Sequence, residues 1–453
     1  MTSDLGTRLQ TVGQDQLGEW LRSRRWFASK AQELNHFSVL EIHELAESTG
    51  TGDPLLCAIL EARFNSGTHD LYQVLVGSEG GELIAEVEGT PLYDALADPG
   101  EAAILAHLMQ RSADLGPIRF HWTGALDRVG ESPQVRSMGA EQSNSSIVID
   151  ERLALKIYRR IEPGDNPELE MLRFLSENGF ANIAALGGWY HYRGERMEAT
   201  LGVLQEFIAD GRDGWEASLE AARAGDEPFI GRLRELGEVT GDMHTILGSD
   251  GMDQTFAPEE PAMEALGLLT ATIDEEIERT FVMLHEHDER TAAIFGRGGE
   301  VRDLLQMLSH QGSGGRLIRH HGDYHLGQTL LTPRGWILLD FEGEPGRPLN
   351  ERRRKRSPLR DIAGMLRSIS YAGSSAQLEN TEWETRARNA FLDGYLATVE
   401  PALLPAGEAS IKKLLSIYEL EKAVYELRYE LDNRPDWVPI PVAGILRLLE
   451  APA

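Results

Sequence analysis

The stretch HHGDYHLGQTLL, residues 320 to 331, sets three histidines, an aspartate and a glutamine on one short turn. WILLDFEGEP, residues 336 to 345, then follows an apolar run with three acids in five residues, Asp340, Glu342 and Glu344. Carboxylates packed that closely repel one another unless a cation sits between them. The chemistry that suits these residues is a hard cation and a phosphate. Asp323 can accept a proton from an attacking hydroxyl, Gln328 can turn an amide oxygen to Mg2+, and Asp340 can supply the metal's carboxylate with Glu342 assisting. An isolated HGD would read as a turn histidine bonded to backbone; LLDFEGEP at a hairpin's distance is the context that turns it into a site.

The five-residue spacing of Asp323 and Gln328 matches the catalytic-loop aspartate and metal-holding amide of protein-kinase-like enzymes. Phosphoryl transfer then asks the N-terminal half for a strand lysine, a helix glutamate and a loop over phosphates. Lys156 in RLALKIYRR lies among apolar strand residues, where an unpaired ammonium is costly. Its expected partner is Glu170 in the helix NPELEMLRFL, capped by Asn166 and begun by Pro167, with Glu168 as the rival. No glycine-rich loop precedes the lysine. EQSNSSIVI stands there instead, and Ser143, Asn144, Ser145 and Ser146 offer hydroxyls, an amide and backbone N–H groups to phosphate oxygens. VLQEFIADG reads as the linker between lobes, with the backbone near Glu206 and Ile208 as the adenine contact.

The elements that must position these groups divide the chain. DQLGEWLRSRRWFASK reads as a helix that brings Leu17, Trp20, Leu21 and Trp26 to one side, and four short β-like runs follow as an antiparallel sheet ending near residue 90. A helical stretch is expected at roughly 91 to 112, then strands around one amphipathic helix, and mostly helix from about 214 onward. The boundaries read as 1–90, 91–208 and 209–453: a β-rich N-terminal half and an α-rich C-terminal half, as in a two-lobed fold with a cleft.

With 453 residues and 41% hydrophobic content the chain suffices for two or three packed units. Seventy-three acids against 44 bases, a formal charge of −29, argue against nucleic acid as partner and for a small substrate. An anionic ligand such as ATP then needs a metal and local positive charge. The single cysteine, Cys57, offers neither a disulfide framework nor a thiolate metal cluster and fits the reducing cytoplasm. Neither a signal pattern nor an apolar run long enough for a membrane span is present, so no export or membrane anchoring is expected. Arg352, Arg353, Arg354, Lys355 and Arg356 read as an ion-pairing loop, with attraction of ATP or a phosphorylated product as the alternative. Asp361 reads as a brace of the catalytic turn and His244 as a core histidine, while Asp274, Glu275, Glu276 and Glu278 read as a solvated helical face.

EQSNSS with LALKIYRR, HGDYHLGQTL, LLDFEGEPGRPLNERRRKRSPLRDIAGMLRS, YELEKAVYELRYELDNRPDWVPIP and, near the start, RRWFASK together resemble maltokinases and the related maltokinase-like glucosamine kinases, within the aminoglycoside-phosphotransferase-like kinases. The resemblance covers nearly the whole chain. It implies an α+β, two-lobed protein-kinase-like fold: a β-rich N-terminal cap, an intermediate subdomain with Lys156, and an α-helical C-lobe with Asp323, Gln328 and Asp340. It implies ATP and Mg2+ as cofactors and a small sugar as substrate, the protein acting as a monomer or weak homo-oligomer. Gln328 departs from the usual asparagine by one methylene, which alters reach and keeps the ligand chemistry.

At the sugar end, a helix bearing Tyr418, Tyr425 and Tyr429 ends at DNRPDW because Pro435 cannot continue it. Trp437 can cover a sugar ring while Asp432, Asn433 and Asp436 take hydroxyls or an amino group; His325 is the candidate contact from the catalytic turn. Two carboxylates favour a cationic sugar, so glucosamine phosphorylated at its primary hydroxyl is the preferred expectation. Maltose phosphorylated at its anomeric hydroxyl is the alternative, and a catalytically silent nucleotide-binding module is the reading from another class.

Overall fold

A computed structural model describes residues 4–27, 29–47, 54–139, 144–195, 197–262, 264–309, 314–344, 346–376 and 382–450. The chain forms two units, Met1–Ser176 with Ala184–Ala209, and Glu177–Ile183 with Asp210–Ala453. The boundary at Ala209 and Asp210 falls within VLQEFIADG.

The first unit is built on two antiparallel sheets. One orders its strands Leu34–Glu47, Pro54–Phe64, His69–Gly77, Thr90–Asp94 and Glu82–Val87. Its second strand reads as a nearly continuous apolar run, PLLCAILEARF, because both faces are buried. Leu56, Ala58, Leu60 and Ala62 pack toward Trp20 and Trp26 of the N-terminal segment, whereas Leu55, Cys57 and Ile59 pack with the helix Pro99–Gln110 and the second sheet. Residues 90–94 are thus the last-but-one strand of the first sheet, and the helix expected from 91 begins only at Pro99, where the Asp98 side chain accepts the Gly100 N–H at 2.8 Å.

The seven-stranded second sheet has the central order Ile118–Trp122, Leu186–Arg193, Glu198–Glu206, Leu153–Tyr158, Asn144–Ile149. Buried polar groups tie it to the first. Gln73 donates to the carbonyls of Tyr158 and Leu201 and accepts from the Tyr190 hydroxyl at 2.9 Å. Arg159, 1% exposed, pairs with Asp94 at 2.9 Å and donates to Ser145 Oγ at 2.7 Å. Each of these groups is inside and partnered, as buried polar atoms must be.

The second unit is mostly helical. The helices Glu227–Leu247 and Glu382–Thr398 touch through their backbones: a Cβ on Gly237 would stand 2.0 Å from the Phe391 carbonyl oxygen. Leu359–Ser375, Glu408–Asn433 and Pro439–Glu450 complete the body around the site. The helix Glu408–Asn433 ends where Pro435 opens a 3-10 turn, Pro435–Trp437. A small sheet, Arg212–Asp213, Thr329–Thr332 and Gly335–Leu338, carries the acid-rich hairpin. Asn182 ties the segment Glu177–Ile183 to that hairpin by donating to the Trp336 carbonyl at 2.7 Å and accepting from the Leu338 N–H at 2.8 Å.

Candidate active site

The catalytic turn is held from beneath by one carboxylate. Asp361, in the first turn of Leu359–Ser375 and 2% exposed, accepts the N–H groups of His321 at 2.7 Å and Gly322 at 3.0 Å and is bonded by His244 Nε2 at 3.1 Å. Burial works to raise its pKa, yet His320 and His244 beside it hold the acid well below the usual carboxylate range. His244 is fully buried and reaches the Tyr395 hydroxyl on its other side, so it is a core histidine acting through Asp361. His321 bonds the Leu339 carbonyl through Nε2 at 2.8 Å, which joins the turn to the strand before Asp340. Tyr324 bonds Thr240 at 2.7 Å, and its carbonyl runs so close to the supporting helix that a Cβ on Gly364 would stand 2.7 Å from it.

These braces leave Asp323 and His325 at a cavity of about 660 Å3. His325 Nδ1 accepts the Gly327 N–H at 3.1 Å, so the ring proton belongs on Nε2, which lies 4.0 Å from Asp323 Oδ2. Burial lowers the His325 pKa against the opposing charge of Asp323, and the ring is neutral at neutral pH. It is a donor beside the candidate base.

Hairpin register positions the metal side. Thr329 pairs with Leu338, which sets Gln328 opposite Leu339 and Asp340 one step beyond. Gln328 Nε2 donates to Asp340 Oδ2 at 3.1 Å, so the two expected metal ligands are neighbours. Asp340 has φ +59°, a left-handed conformation unfavourable for most side chains and tolerated by aspartate, of the kind found at functional sites. A carboxylate and an amide whose oxygen can be turned to the same point are the all-oxygen donors that Mg2+ takes, and the residues present fit that ion. Arg352 steadies the hairpin by donating to the Glu342 carbonyl at 3.2 Å. Within the basic run, Lys355 pairs with Glu259 at 2.8 Å. Asp274, Glu275 and Glu276 pair with Arg302, Arg279 and Arg428, as a solvated ion-pairing face does.

The far wall of the cavity is aromatic and acidic. Trp437 stands 6.4 Å from Trp215 and 5.8 Å from Tyr371 between ring centres, and Tyr425 and Tyr429 continue the wall. Tyr418 is instead buried beneath Arg360. Of the sugar contacts expected in DNRPDW only Trp437 lines the cavity; Asp432, Asn433 and Asp436 are exposed and outside its lining, with Asn433 donating back to the Tyr429 carbonyl at 2.9 Å. The acids that line it on this side, besides Asp323 of the turn, are Glu426 and Glu430, one helical turn earlier. They stand four residues apart and interleave with Tyr425 and Tyr429 at the same spacing, a shared-face signal the sequence carried.

In the first unit, Lys156 Nζ lies 2.9 Å from Glu168 Oε2, and the Tyr158 hydroxyl donates to the same oxygen at 2.8 Å. Lys156 thus pairs with Glu168, 1% exposed, the acid that stood as the rival of Glu170. Asn166 and Pro167 begin the helix as expected, Asn166 Oδ1 accepting the Glu168 N–H at 2.8 Å. Ser145 is also corrected: its hydroxyl is 1% exposed and bonded by Arg159, on the face opposite Lys156. Ser146 faces Lys156 across the strand pair and Asn144 faces Tyr158, whereas Ser143 lies outside the described residues. The Glu206 N–H is bonded to the Ala185 carbonyl at 2.8 Å, and Ile208 is 9% exposed just before the boundary.

Residues 20–98 match the maltokinase N-terminal cap domain. A glucosamine kinase of Streptacidiphilus jiangxiensis is 26% identical over 376 residues, 78% of this chain and 82% of that one. A glucosamine kinase of Mycolicibacterium smegmatis is 22% identical over 404 residues, 83% of this chain and 96% of that one. The solved structure of a glucosamine kinase in complex with glucosamine, ADP and inorganic phosphate superposes with a TM-score of 0.72 at 19% identity, covering 99% of this chain and 100% of that one. The chain is thus similar to glucosamine kinases over most of its length, carries a segment that matches the maltokinase N-terminal cap, and shares their α+β kinase-like fold.

Proposed function

We propose that the protein is an ATP- and Mg2+-dependent sugar kinase that phosphorylates glucosamine at its primary hydroxyl. The observation that carries this reading is Asp323 at the wall of an aromatic-lined cavity, in the same loop system as the joined pair Gln328 and Asp340. The cavity volume lies within the roughly 300–1,000 Å3 of small-molecule sites. Rings at its far side suit the apolar face of a sugar, and the carboxylates and the His325 N–H suit its hydroxyls. Asp323 accepts the proton of the attacking hydroxyl and orients it; His325 donates from Nε2 to a neighbouring sugar oxygen. Gln328 and Asp340 would hold Mg2+, which would supply neutralisation of phosphate charge. Lys156, fixed by Glu168 and Tyr158, is the phosphate-binding cation. The catalysis belongs to the reducing cytoplasm, which Cys57, buried and without a disulfide, suits.

Maltose is the second reading, and the cap match over residues 20–98 favours it. An ADP-release assay with glucosamine, glucose and maltose, followed by identification of the product, separates the two. Glucosamine 6-phosphate supports the first reading; maltose 1-phosphate with negligible glucosamine turnover replaces it with the second. No ADP release with any sugar leaves the silent module.

A further inference from the structure

Arg356, at the end of the basic run, is fixed by its backbone to the segment that leads into the catalytic turn: it exchanges two hydrogen bonds of 2.9 Å with Ile318. Its guanidinium is half-buried and has no hydrogen bond or ion pair among the described residues. The exposed guanidinium of Arg354, two residues earlier, has none either. A guanidinium offers five donors and keeps its charge, so a half-buried one without an acceptor is unfavourable.

Like charges crowd the same place. Burial and the charges of Arg360, Arg347 and Arg354 together lower the Arg356 pKa. The nearby acids are already engaged. Arg360, in the first turn of Leu359–Ser375, bonds Glu421 at 2.8 Å and lies 5.1 Å over the Tyr418 ring. Arg347 pairs with Glu344 and, at 3.5 Å, with Glu351, while Lys422 stands 3.7 Å from Glu344. Five cations, Arg347, Arg354, Arg356, Arg360 and Lys422, thus meet three acids, Glu344, Glu351 and Glu421, which leaves two positive charges in excess within a protein of formal charge −29. The four arginines lie outside the lining of the cavity that holds Asp323. Arg360 and Arg356 nevertheless act by charge on the buried His320 at the start of the catalytic turn.

Guanidinium forks match the oxygens of a tetrahedral oxyanion. A phosphate group carries about −1.5 to −2 near neutral pH, which answers the excess, whereas a carboxylate answers half of it. We propose that Arg356, with Arg347, Arg354 and Arg360 around it, forms a binding site for one small phosphate dianion, free or as a monoester, separate from the catalytic cavity. Arg356 is the direct donor. A phosphate held there ties the segment that follows the metal hairpin to Ile318, two residues before His320, and so steadies the approach to the catalytic turn.

The test is calorimetric titration of the full chain, without ATP and at constant ionic strength so that general screening of surface charge is equal throughout. The probes are inorganic phosphate, glucose 6-phosphate and acetate, on the wild type and on Arg356→Gln, Arg354→Gln and Lys156→Ala. Phosphate is expected to bind the wild type more tightly than acetate does and to raise its thermal midpoint, as a ligand of the folded state must. Arg356→Gln is expected to weaken phosphate about tenfold or more, the loss of hydrogen bonds between charged groups. Arg354→Gln, an exposed change that keeps the test decisive if Arg356→Gln does not fold, is expected to weaken it about threefold. Lys156→Ala is expected to leave it unchanged. Tighter binding of inorganic phosphate than of glucose 6-phosphate assigns the free ion and the reverse assigns an ester, and either supports the site when the arginine variants weaken it. Phosphate affinity unaltered by both arginine variants overturns the site, and the same variant set then shows whether the ion belongs to Lys156 instead. A wild type that takes up phosphate no better than acetate at millimolar concentration overturns it as well.

Discussion

Replacing Asp323 by Asn removes the proton acceptor and keeps the shape. Turnover is expected to fall about 10²–10⁴-fold, the usual contribution of a positioned base, with nucleotide affinity retained in a fluorescence titration; full activity in the purified variant would remove Asp323 from the mechanism. Glu168→Gln is expected to raise the KM for ATP several-fold, and by more than Glu170→Gln does, because Glu168 is the buried acid 2.9 Å from Lys156. A loss confined to Glu170→Gln restores the other pairing. The contrast between these residues marks what local pattern conveys. The adjacency of Gln328 and Asp340 is legible because a hairpin fixes it over short range. The lysine's partner is decided by the sheet, where the Tyr158 hydroxyl meets Glu168, and no helix pattern reports a phenol arriving from another element. Ser145 misleads for a like reason: its hydroxyl is taken by Arg159 as part of a buried link to Asp94.

At the scale of elements, the catalytic turn depends on how closely the helix Leu359–Ser375 approaches it. Gly364→Ala places a methyl 2.7 Å from the Tyr324 carbonyl, a backbone atom that moves only with the turn itself. We expect a stability loss of about 1–3 kcal/mol, as for overpacked cores, with kcat falling more than the KM for ATP rises. Calorimetry and steady-state kinetics would read both effects, and an unaltered kcat would show that the turn tolerates displacement. The strands were legible wherever alternation or an apolar run is strong, as in PLLCAILEARF. The element from 91 was misjudged because Thr90–Asp94 is recruited by pairing with Glu82–Val87 and His69–Gly77, a non-local decision, while the helix waits for the Asp98 cap. The acids of the cavity wall differ from the sequence expectation for a comparable reason. The turn after Asn433 looked like a binding loop, whereas the preceding helical turn faces the cavity.

For the molecule as a whole, the buried charges under the catalytic turn make stability depend on pH in a definite direction. Burial lowers the His320 pKa to about 4, against the opposing charge of Asp361. Below its ordinary value of about 6.5 the unfolded chain binds a proton that the folded one refuses, so stability falls as pH drops from 6.5 to about 4. Asp361, held low, adds a loss that begins only below its unfolded value of about 3.9. His320 keeps partial exposure although its Nδ1 is enclosed, so the expected loss is on the order of 1–2 kcal/mol, less than full enclosure would give. Thermal transitions between pH 7 and 4.5 test this: the midpoint should decline, and His320→Asn should flatten the slope. A midpoint independent of pH in the wild type contradicts it.

The most direct test of the central claim is the product of the purified protein incubated with ATP, Mg2+ and glucosamine. The account predicts stoichiometric ADP and glucosamine 6-phosphate, abolished by chelating the metal and nearly lost in Asp323→Asn. Failure of the wild type to phosphorylate glucosamine, or turnover undiminished in Asp323→Asn, would contradict it.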